Sequence, residues 1–229
     1  MRIGGLQKVT LIDYPGKIGA TVFTQGCNFR CPYCHNPELV DPDQYGELVP
    51  EEEALSFLEK RRGKLDAVTV TGGEPTIHKD LDRFLKTLKR MGYLVKVDTN
   101  GSNPDALERL INGSLVDYLA MDVKGPLKKY AAVASVNVDT AQIARSIELI
   151  LSSGVEHEFR TTVVRSQLAP RDLRSIAALI KKARLYVLQP FVPTKTLDRS
   201  FLSAASYSPQ ELSTIQKNLE KELTRVVIR

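Results

Sequence analysis

The sequence has no run of eighteen apolar residues, so no segment reads as a membrane-spanning helix. Its opening, MRIGGLQKVTLIDYPGK, lacks the apolar core of a signal peptide, and a cytoplasmic location is expected. Low-complexity linkers and internal repeats are also absent. A chain of 229 residues without them is expected to form a single domain over residues 1–229 with a substantial core. Cysteine is scarce. The only three, Cys27, Cys31 and Cys34, fall within eight residues, which does not make the paired framework of a secreted disulfide protein. The formal net charge of +5 permits an acidic partner. No dense Lys/Arg run with interleaved aromatics accompanies it, so neither a nucleic acid nor a membrane is expected as partner.

What is present is a repeated pattern of short β-branched runs followed by helical stretches. Strands are expected over 20–25, 67–72, 94–99, 117–124, 157–164 and 185–191. Several are nearly continuous apolar runs, as in parallel strands covered on both faces. Helix starts are legible between them. Pro50 precedes three glutamates, Asn103 precedes Pro104, Asp139 has Gln142 at capping-box spacing, and Ser208 has Pro209 and Glu211 after it. Gly154 sits where the 139-started helix should stop. Six such units predict an α/β fold. A closed eight-unit barrel needs about 250 residues, so an open, partial barrel or a doubly wound sheet is expected. In both, ligands gather at the C-terminal ends of the strands.

The cysteines follow the first of these strands with the spacing C-x3-C-x2-C, in QGCNFRCPYCHN. Three readings compete. His35 could complete a four-ligand zinc site, though it adjoins Cys34 and the chain would have to bend sharply. Cys31 and Cys34 could be a redox pair, which leaves Cys27 without a role. A [4Fe–4S] cluster held by three thiolates uses every cysteine and leaves one iron open.

The next three strands also end in polar motifs. TGGEP (71–75) offers glycines for close backbone approach to a ligand and Glu74 as an acceptor for an amine. VDTNG (97–101) and AMDVKG (120–125) place Asp98 and Asp122 at the ends of apolar strands, with Lys124 beside one of them. Each alone reads as ordinary turn chemistry. Four consecutive strands ending this way, all on one face, point to a ligand site.

These motifs together resemble the radical S-adenosylmethionine superfamily: Cys27-x3-Cys31-x2-Cys34 with Tyr33 before the third cysteine, and Gly72-Gly73-Glu74. Within it, CPYCHN, DTNG, MDVKG and FRTTVV (159–164) resemble the activating enzymes of glycyl radical enzymes. The stretch LIDYPGKIGATVFTQGCNFRCPYCHNPELV is most similar to the activators of anaerobic ribonucleoside-triphosphate reductase. The resemblance spans about residues 4 to 192. It implies an open (β/α)6 barrel of the radical S-adenosylmethionine type, core about 18–192, with a C-terminal helical extension.

The resemblance also implies a mechanism and its participants. Cys27, Cys31 and Cys34 would ligate three irons of a [4Fe–4S] cluster, and S-adenosylmethionine would chelate the fourth through its amine and carboxylate. A flavodoxin or ferredoxin-type donor would supply an electron, and the radical released would take a hydrogen atom from a glycine of the partner enzyme. By motif match, Gly72, Gly73 and Glu74 would hold the amino group. Asp98, Asp122 and Lys124 would face the ribose and carboxylate. Asp98 and Asp122, with Thr99, could also hold a monovalent cation. Tyr33 and His35 would lie near the adenine or cluster, and Arg160, on the fifth of the six expected strands, could face S-adenosylmethionine. The alternatives are activation of another glycyl radical enzyme of pyruvate formate-lyase type, or a radical enzyme with a small-molecule substrate.

The sequence departs from the pyruvate formate-lyase activators after Gln189-Pro190-Phe191, where Val192 replaces their histidine. No further cysteines are present for a ferredoxin-like insert. His78 reads as a helix-start or surface residue and His157 as a strand-edge residue. Ile143, Ile147, Ile150 and Leu151 have helical core spacing. Phe23 and Phe29 read as core or cluster-shielding residues.

Overall fold

A computed structural model describes all residues, 1–229. Eight strands form one sheet in chain order: β1 (Ile3–Thr10), β2 (Gly19–Thr24), β3 (Ala67–Gly72), β4 (Leu94–Thr99), β5 (Tyr118–Asp122), β6 (Glu156–Val163), β7 (Tyr186–Pro190) and β8 (Val226–Ile228). Strands β2 to β8 are parallel, and β1 joins β2 antiparallel. Strands β1 and β8 do not pair with each other, so the barrel is open along that side. The six expected strands are β2 to β7, each within two residues of its expected bounds.

Six longer helices cover the outside of the sheet: α1 (Glu51–Lys60), α2 (Leu81–Arg90), α3 (Pro104–Asn112), α4 (Thr140–Ser152), α5 (Pro170–Leu179) and α6 (Pro209–Leu219). Their starts follow local chemistry. Asn103 accepts from the Ala106 N–H, and Ser208 and Glu211 form a reciprocal capping box on α6. On α4, Asp139 caps the Ala141 N–H, but no reciprocal capping box with Gln142 forms. Gly154, at φ +74°, follows the end of α4.

Helix α2 shows how the layers join. Leu81, Phe84, Leu85 and Leu88 are buried, at spacings that place them on one stripe of the helix. They enter a core of 48 buried residues together with Val68, Val70, Val95 and Val97 of β3 and β4. Each such side chain contributes about 1.5–3 kcal/mol by leaving water. Ile143, Ile147 and Ile150 of α4 are buried in the same core, with Leu151 at its margin.

The alternate residues of the strands face the barrel interior, and many are polar. At the floor, Tyr14 packs on Tyr118. No helix is long and apolar enough to cross a membrane.

Candidate functional site

The loops after β2, β3, β4 and β5 and the ends of β6 and β7 enclose a cavity of about 270 Å³ at the C-terminal end of the barrel. The residues expected to hold a cluster or cofactor all line it: Cys27, Cys31, Tyr33, Cys34, His35, Gly72, Gly73, Glu74, Asp98, Thr99, Asp122, Lys124 and Arg160. Phe29, Asn36, Val40, Thr71, Asn100, Thr162 and Gln189 complete the lining.

The cysteine loop is held from below. Arg30 donates to the carbonyls of Cys27 (2.6 Å) and Phe29 (2.8 Å), and its N–H donates to Ala134 O at 2.9 Å. The Cys34 N–H donates to Cys31 O at 3.0 Å, closing the C-P-Y-C turn. Phe29 packs edge-on against Tyr130 beneath the loop, whereas Phe23 does not reach the cavity. All three thiols are free. Burial, with the nearby charge of Glu74, pushes the Cys27 thiol up to about 12, and burial raises Cys31 and Cys34 as well. Such thiols ionise only for a cation that displaces their protons.

The glycines of TGGEP serve a purpose not legible in sequence. A Cβ on Gly73 would lie 2.0 Å from Gly26 O, and Gly72 has φ +105° with Thr24 against it. The Gly73 and Glu74 N–H groups donate to Thr24 O and Gly26 O, both at 2.8 Å. The close approach is therefore between this loop and the start of the cysteine loop. Glu74 is 1% exposed and almost fully engaged. Its Oε1 accepts from the Thr76 N–H and from the hydroxyls of Thr76 and Thr99, and its Oε2 accepts from the Asn100 N–H at 2.6 Å. Burial raises its pKa, and these donors pull it back only in part. Glu74 and Thr99 thus fasten the β3 loop to the β4 loop.

The strand register puts Arg160 of β6 directly beside Asp122 of β5. Its Nε donates to Asp122 Oδ1 at 2.7 Å and its Nη1 to Asp98 Oδ2 at 3.0 Å. Lys96 takes the other oxygen of Asp98 at 2.6 Å, and Lys124 the other oxygen of Asp122 at 3.2 Å. Burial opposes ionisation of both aspartates, but the charges of Arg160 with Lys96 or Lys124 hold them below the ordinary carboxylate range. Burial works against Lys124 too, and Asp122 keeps it charged. Each of the four carboxylate oxygens already has a cationic partner. A monovalent cation here, which the resemblance implies, would share these oxygens with those partners.

The segment after β7 folds back over the cysteine loop. Nε2 of His35 bonds Val192 O at 2.8 Å, its ring stacks on Phe191, the Asp198 N–H donates to Pro32 O at 2.9 Å, and Lys195 pairs with Glu38 at 2.5 Å. Val192 itself is 56% exposed and outside the cavity lining. His78 stands outside that lining too. His157, expected at a strand edge, is buried within β6 on the face opposite Arg160, because its ring packs against Phe159. Thr71, Asn100, Thr162 and Gln189 lay inside quoted motifs. Lys96 could be placed only by strand register.

These residues fit a thiolate-held cluster with a polar organic ligand. No group of three His, Cys, Asp or Glu side chains is placed to hold a single metal ion, so the zinc reading has no ligand set. Three thiols around one cavity suit a cluster whose separate irons each take one. The hydroxyl of Tyr33 is buried there beside the Cys31 thiol and has no other polar partner.

Comparison with known proteins agrees. Residues 21–180 match the Radical SAM superfamily. A Methanocaldococcus jannaschii protein, provisionally assigned as a glycyl-radical enzyme activating enzyme, is 35% identical over 99% of this chain and 95% of its own. The pyruvate formate-lyase-activating enzyme of Clostridium pasteurianum is 33% identical over 98% of this chain and 95% of its own. Streptococcus suis SuiB, solved with its precursor peptide SuiA, superposes with a TM-score of 0.72 at 12% identity, over 90% of this chain and 47% of SuiB, a likeness of fold.

Proposed function

Because the chain belongs to the radical S-adenosylmethionine superfamily, among the glycyl-radical enzyme activating enzymes, we propose that it installs a glycyl radical on an anaerobic ribonucleoside-triphosphate reductase. Membership brings a [4Fe–4S] cluster and S-adenosylmethionine. When bound, they supply the electron and the sulfonium cleavage that create a carbon radical able to take hydrogen from a glycine.

The chain's residues bind, orient and shield. Cys27, Cys31 and Cys34 would hold three irons and leave the fourth to the amino acid end of S-adenosylmethionine. Glu74, whose Oε2 accepts only the Asn100 N–H, and the Gly72–Gly73 backbone would meet the amine, with Thr99 and Asn100 locked beside them. Lys124, charged and at the cavity wall, suits the carboxylate or ribose. The Tyr33 hydroxyl lies beside Cys31, at the cluster end of the cavity. Phe29 and the 191–198 segment keep water from the cysteine loop. The open side between β1 and β8 gives a protein loop a way in, and the net positive charge suits an acidic flavodoxin or ferredoxin-type donor in the cytoplasm.

One observation carries the reading: three thiols with no fourth share a cavity with Thr71, Gly72, Gly73, Glu74, Asp98, Asp122 and Lys124. The choice of reductase rests on LIDYPGKIGATVFTQGCNFRCPYCHNPELV and on Val192, which departs from the pyruvate formate-lyase activators. Full-length similarity to the C. pasteurianum enzyme favours pyruvate formate-lyase as the second reading. The test is to mix the reconstituted, reduced protein and S-adenosylmethionine with each partner and record electron paramagnetic resonance. A glycyl doublet on the reductase is expected. A doublet only on pyruvate formate-lyase selects the second reading, and none on either overturns both.

A further inference from the structure

Asn100, the fourth residue of VDTNG, is 5% exposed and lines the cavity at the end of β4. Each of its polar groups except the main-chain carbonyl has a fixed direction. Its main-chain N–H donates to Glu74 Oε2 at 2.6 Å. Its Oδ1 accepts from the Ser102 N–H at 2.9 Å. A main-chain N–H can only donate, so this bond identifies the oxygen end of the amide. The Nδ2 end, with two hydrogens, is thereby turned into the cysteine loop. It donates to Asn28 Oδ1 at 2.9 Å and reaches Cys27 Sγ at 4.0 Å. Asn28 is fixed in turn by its bond to Ser102 Oγ at 2.8 Å. The same sulfur accepts from the Phe29 N–H at 3.4 Å.

We propose that Asn100 sets the reduction potential of the cluster by directing an N–H at the Cys27 sulfur, with Glu74 and Ser102 as the groups that hold it there. The proposal rests on the cluster reading above. Reduction adds negative charge that is shared with the coordinating sulfurs. An N–H dipole aimed at such a sulfur stabilises the reduced form and raises the potential. The effect is enlarged where water is excluded. Asn100 is thus a positioning and tuning residue: it makes the cluster easier for a protein donor to reduce.

The test uses full-length protein, reconstituted anaerobically, with iron content and absorption measured first. Midpoint potentials then come from redox titration followed by electron paramagnetic resonance. Asn100→Ala removes the donor. Asn100→Asp keeps an acceptor for the Ser102 N–H but exchanges the donor for a negative charge. Both potentials are expected to fall, that of Asn100→Asp further. Asn28→Ala, which leaves the Asn100-to-sulfur donor in place, should stay at the parent value. Unchanged potentials in both Asn100 variants, even with a lowered Tm, would overturn the proposal. So would an equal fall in Asn28→Ala, which would mark a general loosening of the loop. Loss of iron from both Asn100 variants alone would also overturn it, because the role would then be in assembly. Failure of the parent chain to bind iron would instead sink the cluster reading itself.

Discussion

Arg160→Met removes the one side chain that touches both site aspartates. In the parent, its two nitrogens reach Asp122 and Asp98 at 2.7 and 3.0 Å. The variant leaves Asp98 with Lys96 and Asp122 with Lys124, and two like charges share the vacated space. Breaking a buried pair from one side costs about 3–5 kcal/mol. Both aspartates keep one cation, and Asp122 retains 28% of its side-chain exposure, so the low end applies, about 3 kcal/mol. Unfolding entropy near 2.1 cal/mol/K per residue amounts to roughly 0.5 kcal/mol/K for this chain, so Tm should fall by about 6 °C. The sign with pH follows. Both carboxyls have folded pKa values held below the unfolded value of about 3.9. Their stabilisation is complete above that value and is lost as pH falls through the folded ones. The gap between parent and variant should therefore be full at pH 7 and narrow near pH 2. Thermal melts of the metal-free proteins at both pH values provide the assay. A neutral-pH gap under about 1 °C, or one that widens on acidification, would refute the reasoning. Adding Asp98→Asn to the variant should recover part of the loss, as expected for coupled neighbours.

Three further outcomes follow. Thr99→Val takes a donor from buried Glu74 and an acceptor from the Gly101 N–H, bonds of 2.8 and 3.0 Å. It should cost about 1–3 kcal/mol and raise amide hydrogen exchange in residues 72–76 and 98–102; protection unchanged in both loops would contradict the fastener role. Cys31→Ala should lose bound iron and S-adenosylmethionine cleavage together, and retention of the parent's iron content would count against the ligand assignment. Because burial raises all three thiols, iron loading should release protons and weaken as pH drops from 9 to 6. Loading that is flat across that range, followed by iron-dependent absorption, would contradict thiolate ligation.

The parallel strands were legible because each is a short β-branched run between capped helices, and AVTVTG and LVKVDT match β3 and β4 residue for residue. Strand β1 was not, since IGGLQKVT has no alternation and lies at an antiparallel edge with irregular register. Strand β8, at three residues, carries too little pattern. The site's membership was readable because its residues end successive strands. Its internal wiring was not. Arg160 lines the cavity, but its pairing with Asp122 comes from the parallel register, and Lys96 two residues before Asp98 turns inward with it. The TGGEP glycines read as ligand-approach residues, and only the fold reveals Gly26 and Thr24 packed against them. The fold-back of residues 191–198 onto Pro32, His35 and Glu38 is likewise a contact across more than 150 residues, beyond any local signal.

The most direct measurement is product analysis after anaerobic reduction of the iron-loaded protein with S-adenosylmethionine. The account predicts 5′-deoxyadenosine and methionine in equal amounts, dependent on reduction and lost in Cys27→Ala, Cys31→Ala and Cys34→Ala alike. Intact S-adenosylmethionine after full reduction of a loaded cluster, or cleavage that survives any one of those substitutions, would contradict it.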